Sequence, residues 1–185
     1  MSEITKKALA DSLKSLMKKK PIDKITIREI TEECGLSRMT FYYHFEDIYS
    51  LVEWATLQDL DYLNSRYLNS GTSVEEIKAV FRYFIENKDF FENVRYSMGR
   101  EILVKHLYNL FNDYIYLRLA EYIGNKNLSD DDKKYITDVC KNIYAGAMLE
   151  WFWNNMPDDY DKLVNRLYLT VPGIIESMVS SLESD

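Results

Sequence analysis

Cysteine, histidine, glycine and proline are all scarce in this 185-residue chain, with two, two, six and three residues respectively. Each shortage excludes something. Cys34 and Cys140 lie far apart and form no CxxC pair. The chain is therefore no disulfide scaffold, and both thiols are expected to stay reduced, as small core residues of a cytoplasmic protein. His44 and His106 have no Cys or His neighbours at ligand spacing, so no metal site is assigned. No glycine-rich phosphate loop and no G-x-S-x-G occurs, so no catalytic residue and no cofactor is assigned either. No apolar run approaches the roughly 20 residues of a membrane span, and Met1 leads into charged residues instead of an apolar leader. Few glycines and prolines, with no strand-like alternation, predict helices joined by few turns.

What is present fits a helical globule. Hydrophobic residues make up 46% and aromatics 14%, with fifteen tyrosines, enough for a core and too much for a disordered chain. The net charge of −7 argues against nucleic acid until its distribution is considered. Residues 1–45 carry nine Lys/Arg against six Asp/Glu, a net of +3, and residues 46–185 carry 14 against 24, a net of −10. A basic head on an acidic body is the asymmetry expected when only the head meets phosphates. The run Lys18-Lys19-Lys20 also reads as a solvated helix end, which is compatible.

The informative stretch is Thr26 to Phe45, TIREITEECGLSRMTFYYHF. Thr26 and Glu29 form the Thr-x-x-Glu pattern of a capping box, and Ile27, Ile30 and Cys34 follow as an apolar stripe. Gly35 stands where a helix ends in a left-handed residue, and Ser37 can cap the next helix. There, Leu36, Phe41 and Phe45 anchor one face, and Arg38, Met39, Thr40, Tyr42, Tyr43 and His44 stand between them. Donors on the free face of a helix that follows a glycine turn fit a helix-turn-helix reading head.

The run GLSRMTFYYHF, with Thr26 before it and a helix starting at Asp47 after it, closely resembles the N-terminal domain of the tetracycline-repressor (TetR/AcrR) family of bacterial transcription regulators. The run DIYSLVEW resembles a subgroup that includes activators of dihydroxyacetone kinase operons. The specific resemblance covers roughly residues 5–55, with one departure at Ile48, where the family often has a Lys that touches phosphate. The resemblance implies an all-α fold of about nine helices. A DNA-binding domain over 1–46 would precede a regulatory and dimerisation domain over 47–185.

It also implies a double-stranded DNA operator as partner, a homodimer, and an unknown small-molecule effector or protein partner acting on the body. Thr26, Tyr42 and His44 are the expected phosphate contacts, with Ser37 serving as cap and contact together. Arg38, Met39, Thr40 and Tyr43 are expected to reach base edges, Arg suiting guanine and an apolar contact a thymine methyl. Effector candidates are Phe81, Phe84, Phe90, Phe91, Tyr96, Tyr114 and Trp151, although aromatics at helical spacing are more often core.

Elsewhere, helices are predicted over 4–20, from Asp47 to about Tyr67, from Ser73 (a second capping box with Glu76) to Asn87, over 89–97, 101–123, 131–155 and 161–182. Asn69–Ser73 reads as a linker. Helix four would link head to body, with Ile48, Leu51, Val52 and Ala55 toward the head and Trp54, Leu57 and Leu60 toward the body. Pro172-Gly173 is expected to kink or restart the last helix. Ile136, Val139, Cys140, Ile143 and Ala147 form one stripe, and Leu163, Leu167, Val171, Ile174, Ile175, Met178 and Leu182 another. Paired across two subunits, these would make a four-helix interface, helped by the small run Ala145-Gly146-Ala147. The competing reading is an interaction protein of the same fold that works through a protein partner with weak or no DNA binding. The acidic total and Ile48 favour it, and the intact face from Ser37 to His44 argues against it.

Overall fold

A computed structural model describes residues 2–68, 74–95 and 99–183, and nearly all of them are helical. The helices are α1 (Ser2–Met17), α2 (Ile27–Glu33), α3 (Arg38–His44), α4 (Ile48–Leu63), α5 (Val74–Glu86), α6 (Lys88–Arg95), α7 (Gly99–Ile123), α8 (Asp130–Trp153) and α9 (Tyr160–Leu182). A short 3-10 turn spans Ile22–Lys24, and a π-helical stretch, Asn64–Leu68, continues α4. Two compact units emerge, one of Met1–Asp59 with Asn87–Leu103 and one of Leu60–Glu86 with Val104–Asp185.

In the first unit Leu9, Leu13 and Met17 recur on one side of α1 and are buried with Ile22, Ile25, Ile30 and Phe41. The helix stops at Met17, short of the three lysines that the spacing placed in it. Lys19 and Lys20 both donate their backbone N–H to Leu16 O, and Pro21 then opens the 3-10 turn. The buried Ser12 hydroxyl donates to Ile30 O at 2.7 Å, which ties α1 to α2. Asp47 caps α4, its carboxylate accepting from Ser50 N at 2.8 Å. Leu51, Val52 and Ala55 of α4 are buried, as the pattern predicts. Trp54 corrects the pattern. Its ring meets Phe45 edge-on at 6.0 Å and takes Lys6 Nζ over its face at 5.7 Å, so it packs within the first unit. At 100° per residue Trp54 is only one step from Ala55, and a ring of that size reaches the same core.

In the second unit α8 and α5 both pack on α9. Ser129 caps α8 by accepting from Asp132 N, and Asp130, Asp131 and Asp132 lie at the positive end of the helix, where carboxylates are stabilised. Gly124, with φ +56, ends α7. The linker 69–73, with the Ser73 cap, lies outside the described residues. Glu76 is buried and pairs with Arg118 of α7 at 3.1 Å.

Two expectations for α8 and α9 change. The last helix does not restart at Pro172; it is continuous from Tyr160 to Leu182. Each of the two apolar stripes divides between an inner and an outer face. Ile136 and Cys140 of α8 and Leu167, Val171 and Ile175 of α9 are buried inside the subunit, where Val164 and Val179 join them. Leu163, Ile174 and Met178 of α9 and Val139, Ile143 and Ala147 of α8 keep partial exposure. A stripe that wide covers two adjacent helix faces, and packing within one chain consumes only one of them.

Candidate nucleic-acid interface

Two caps and one glycine set the geometry of the head. Thr26 Oγ1 accepts from Glu29 N at 3.3 Å, and Thr26 N donates to Glu29 Oε2 at 2.9 Å, closing the reciprocal capping box. The Thr26 hydroxyl also donates to Glu29 Oε2 at 2.9 Å, so both of its donors are already engaged. Lys20 Nζ reaches the other Glu29 oxygen at 2.5 Å. The Lys20 ammonium and the two Thr26 donors lower the Glu29 carboxyl to about 2.

At the far end of α2, Leu36 N donates to Thr31 O at 2.8 Å and Gly35 N to Glu32 O at 3.3 Å. That pair of bonds is a Schellman closure, and it requires a left-handed residue at Gly35, where φ is +68. Any residue with a Cβ there is strained by its backbone, although nothing crowds the position. The turn thus fixes the angle at which α3 leaves α2.

Ser37 starts α3 by accepting from Thr40 N at 3.0 Å, and its hydroxyl lies 2.8 Å from that of Thr40. Phe41 is fully buried, and its ring is 5.9 Å from that of the buried Phe45. With the anchor at Phe41 and Phe45, the 100° step of a helix turns Met39 and Tyr43 directly outward, with Arg38 and Tyr42 on one flank and Thr40 and His44 on the other. Exposure follows that order, with Tyr43 at 83%, Met39 at 82% and Tyr42 at 52%. Arg38 and Ser37 are exposed, and Thr40 and His44 are half-buried. The His44 ring meets that of Tyr43 edge-on at 4.9 Å, which orients both.

Seven of the eight expected DNA-contact residues therefore lie on α3 or its cap, and the eighth, Thr26, caps the helix before it. Large apolar groups such as Met39 and Tyr43 lose free energy when left in water, and a folded chain that leaves them on one short helix beside a guanidinium has a surface suited to a partner. The arrangement can place a guanidinium, phenol hydroxyls and a thioether against base edges, while the hydroxyls of Thr26, Ser37 and Thr40 at the helix starts are engaged within the caps.

The effector candidates divide between the two units. Phe81, Phe84 and Trp151 are buried together in the second, with Phe81 4.7 Å and Phe84 6.5 Å from Trp151 between ring centres. Phe90 and Phe91 are buried in the first, 5.2 Å apart. Tyr96 lies outside the described residues. Tyr114 lines a cavity of about 360 Å³ in the second unit, with Arg118, Glu121, Tyr122, Tyr144 and Tyr168. The sequence reading missed these five. A lone Arg118 inside the apolar run YIYLRLA was the available signal.

Comparison with known proteins agrees with this geometry. Residues 9–54 match the family model of bacterial regulatory proteins of the tetR family, and residues 72–173 match that of a transcriptional regulator C-terminal region. The chain belongs to the TetR family of transcription regulators. It is 29% identical over 96 residues to the HTH-type dhaKLM operon transcriptional activator DhaS of Lactococcus lactis subsp. lactis (strain IL1403). That match spans 50% of this chain and 50% of the length of that relative. Among solved structures, the dihydroxyacetone kinase operon activator DhaS is similar over 98% of this chain and 99% of its own, with a TM-score of 0.69 and 21% identity. A tetR-family transcriptional regulator from Streptomyces coelicolor is similar over 97% of this chain and 88% of its own, with a TM-score of 0.65 and 14% identity. RolR, solved in complex with resorcinol, is similar over 100% and 97%, with a TM-score of 0.58 and 18% identity. These likenesses establish the fold of a TetR-family regulator, a family that binds DNA operators and is generally non-enzymatic. Among the described residues no helix is long and apolar enough to cross a membrane.

Proposed function

We propose that this TetR-family chain binds a specific DNA operator as a homodimer and that a small molecule or protein partner bound to its C-terminal half controls that binding. The observation that carries the first part is the outward face of α3, where Met39 and Tyr43 are more than four-fifths exposed on a helix anchored by Phe41 and Phe45. A short helix positioned by two caps and a left-handed glycine, with its donors facing outward, suits the major groove.

Dimerisation is supported by the outer faces of α8 and α9. Val139, Ile143 and Ala147 on one and Leu163, Ile174 and Met178 on the other remain partly exposed in the single chain. Added Cβ atoms at Gly146 and Gly173 would meet nothing within 4 Å, so the close approach those glycines permit is unused within the subunit. A second copy that packs its own α8 and α9 there would use it. Control is supported by α4, whose residues divide between the two units at Asp59 and Leu60. An effector acts only if it binds one state of the protein better than the other.

Selection of duplexes from a randomised library by the purified protein tests the proposal. Enrichment of a two-fold symmetric site is the expected result, and Thr40→Ala with Tyr42→Ala should lose the selected site while the protein remains folded. Enrichment of no sequence would overturn it.

A further inference from the structure

The cavity of about 360 Å³ between α7, α8 and α9 has a chemistry of its own. One wall holds Arg118, whose side chain is 12% exposed. Its guanidinium is paired with two carboxylates before any ligand arrives, Glu76 at 3.1 Å and Glu121 at 3.3 Å, and it lies 5.2 Å from the Tyr114 ring centre. Its Nε–H is buried without a hydrogen-bond partner, a state that costs free energy. The remaining polar lining is phenolic. Among the described residues the hydroxyls of Tyr114, Tyr122, Tyr144 and Tyr168 make no hydrogen bond. Burial pushes Tyr114 up to about 12 and raises Tyr122 and Tyr144, so these phenols are neutral donors at neutral pH. Val171, Pro172 and Ile175 of α9 supply an apolar floor.

This combination discriminates by charge. An anion would compete with Glu76 and Glu121 for a guanidinium that already serves both, and a cation would give up its hydration for carboxylates that Arg118 already holds. An uncharged molecule pays neither penalty. Its oxygens can accept from the phenols, and flat apolar surface suits the ring and proline walls. The volume lies at the small end of ligand pockets.

We propose that this cavity binds an uncharged, compact ring compound bearing hydroxyl or carbonyl oxygens. The inference deepens the effector reading above and rests on it only for regulation, because binding is measured on the protein without DNA. Calorimetry of the full chain would compare 4-hydroxyacetophenone with two charged compounds on the same frame, 4-hydroxybenzoate and 4-hydroxybenzylamine. The neutral compound is expected to saturate at one per chain and to bind about tenfold tighter than either charged analogue. Tyr122→Phe with Tyr168→Phe, which keeps the rings and removes two hydroxyls, should weaken it about fivefold or more with an unchanged melting temperature. If that pair lowers the melting temperature, Tyr168→Phe alone, at a partly exposed ring, serves in its place and should still weaken binding. Absence of saturable binding by the neutral compound, equal or tighter binding of 4-hydroxybenzoate, or unchanged affinity in a folded variant would each overturn the proposal. Loss of DNA binding in a protein that still takes the neutral compound would instead count against the regulator reading alone.

Discussion

Lys14 Nζ lies 2.5 and 2.7 Å from the two carboxylate oxygens of Asp59 and 4.9 Å from the centre of the Phe90 ring. One ammonium thus joins α1, α4 and α6 within the first unit. Asp59 is 8% exposed at its side chain and Lys14 20%, so solvent screens the pair only partly.

Asp59→Ala would leave that ammonium partly buried beside an aromatic ring with no counter-ion. Loss of one partner of a buried pair costs about 3–5 kcal/mol, and the partial exposure of Lys14 puts this case at the lower end, about 3 kcal/mol. At about 2–4 °C per kcal/mol for a chain of this size, the melting temperature should fall by about 6–12 °C. Differential scanning calorimetry reads this directly, and replacing Lys14 and Asp59 together by Met and Leu should recover most of the loss.

The capping box has a pH signature. Glu29 is lowered to about 2, from an ordinary value of about 4.3, chiefly by Lys20 and then by Thr26. A carboxyl with a depressed folded pKa stabilises the fold above its unfolded value, and that contribution is lost as pH falls from about 4.3 toward 2. The group is solvent-exposed, so the effect on stability is small and the titration itself is the sensitive readout. NMR titration should place the Glu29 midpoint near 2, and Lys20→Ala should move it upward, toward the ordinary range.

The two faces of α3 should separate stability from binding. Phe41→Ala removes a fully buried ring and is expected to cost about 3–5 kcal/mol. Tyr43→Ala and Arg38→Ala alter exposed side chains and should change stability by less than about 0.5 kcal/mol. On a selected operator each should cost about 1–3 kcal/mol of affinity, read by fluorescence anisotropy beside thermal melts.

The dimer is tested by Gly146→Leu. Nothing lies within 4 Å of a Cβ at that position, and the site is helical, so the single chain should tolerate the change. A partner helix packed close to α8 would not. Sedimentation equilibrium should show the wild type at twice the 21.9 kDa chain mass and the variant at the single mass.

The head was legible in the sequence because its signals are local. Thr26 with Glu29, Gly35, and Ser37 each act on a backbone within five residues, and the structure closes both caps and the glycine turn where the pattern places them. The body was less legible because its decisions are made by residues distant in sequence. Glu76 fits a capping pattern on its own, and only the arrival of Arg118, 42 residues later, makes it half of an ion pair. Leu167, Val171 and Ile175 read as a free stripe until α8 and α5 pack on α9. Lys20 reads as one of three solvated lysines, and its reach to Glu29 needs the turn at Pro21. The cavity at Arg118 is likewise built from three helices, which no window along the chain brings together.

The most direct test of the account is the affinity of the purified protein for its selected operator across a salt series, beside a scrambled duplex. The account predicts two chains per duplex and a log–log salt slope of about −0.9 for each phosphate neutralised. It also predicts operator binding about 10³-fold or more tighter than the scrambled control at physiological salt. Equal affinity for both duplexes, or binding indifferent to salt, would contradict it.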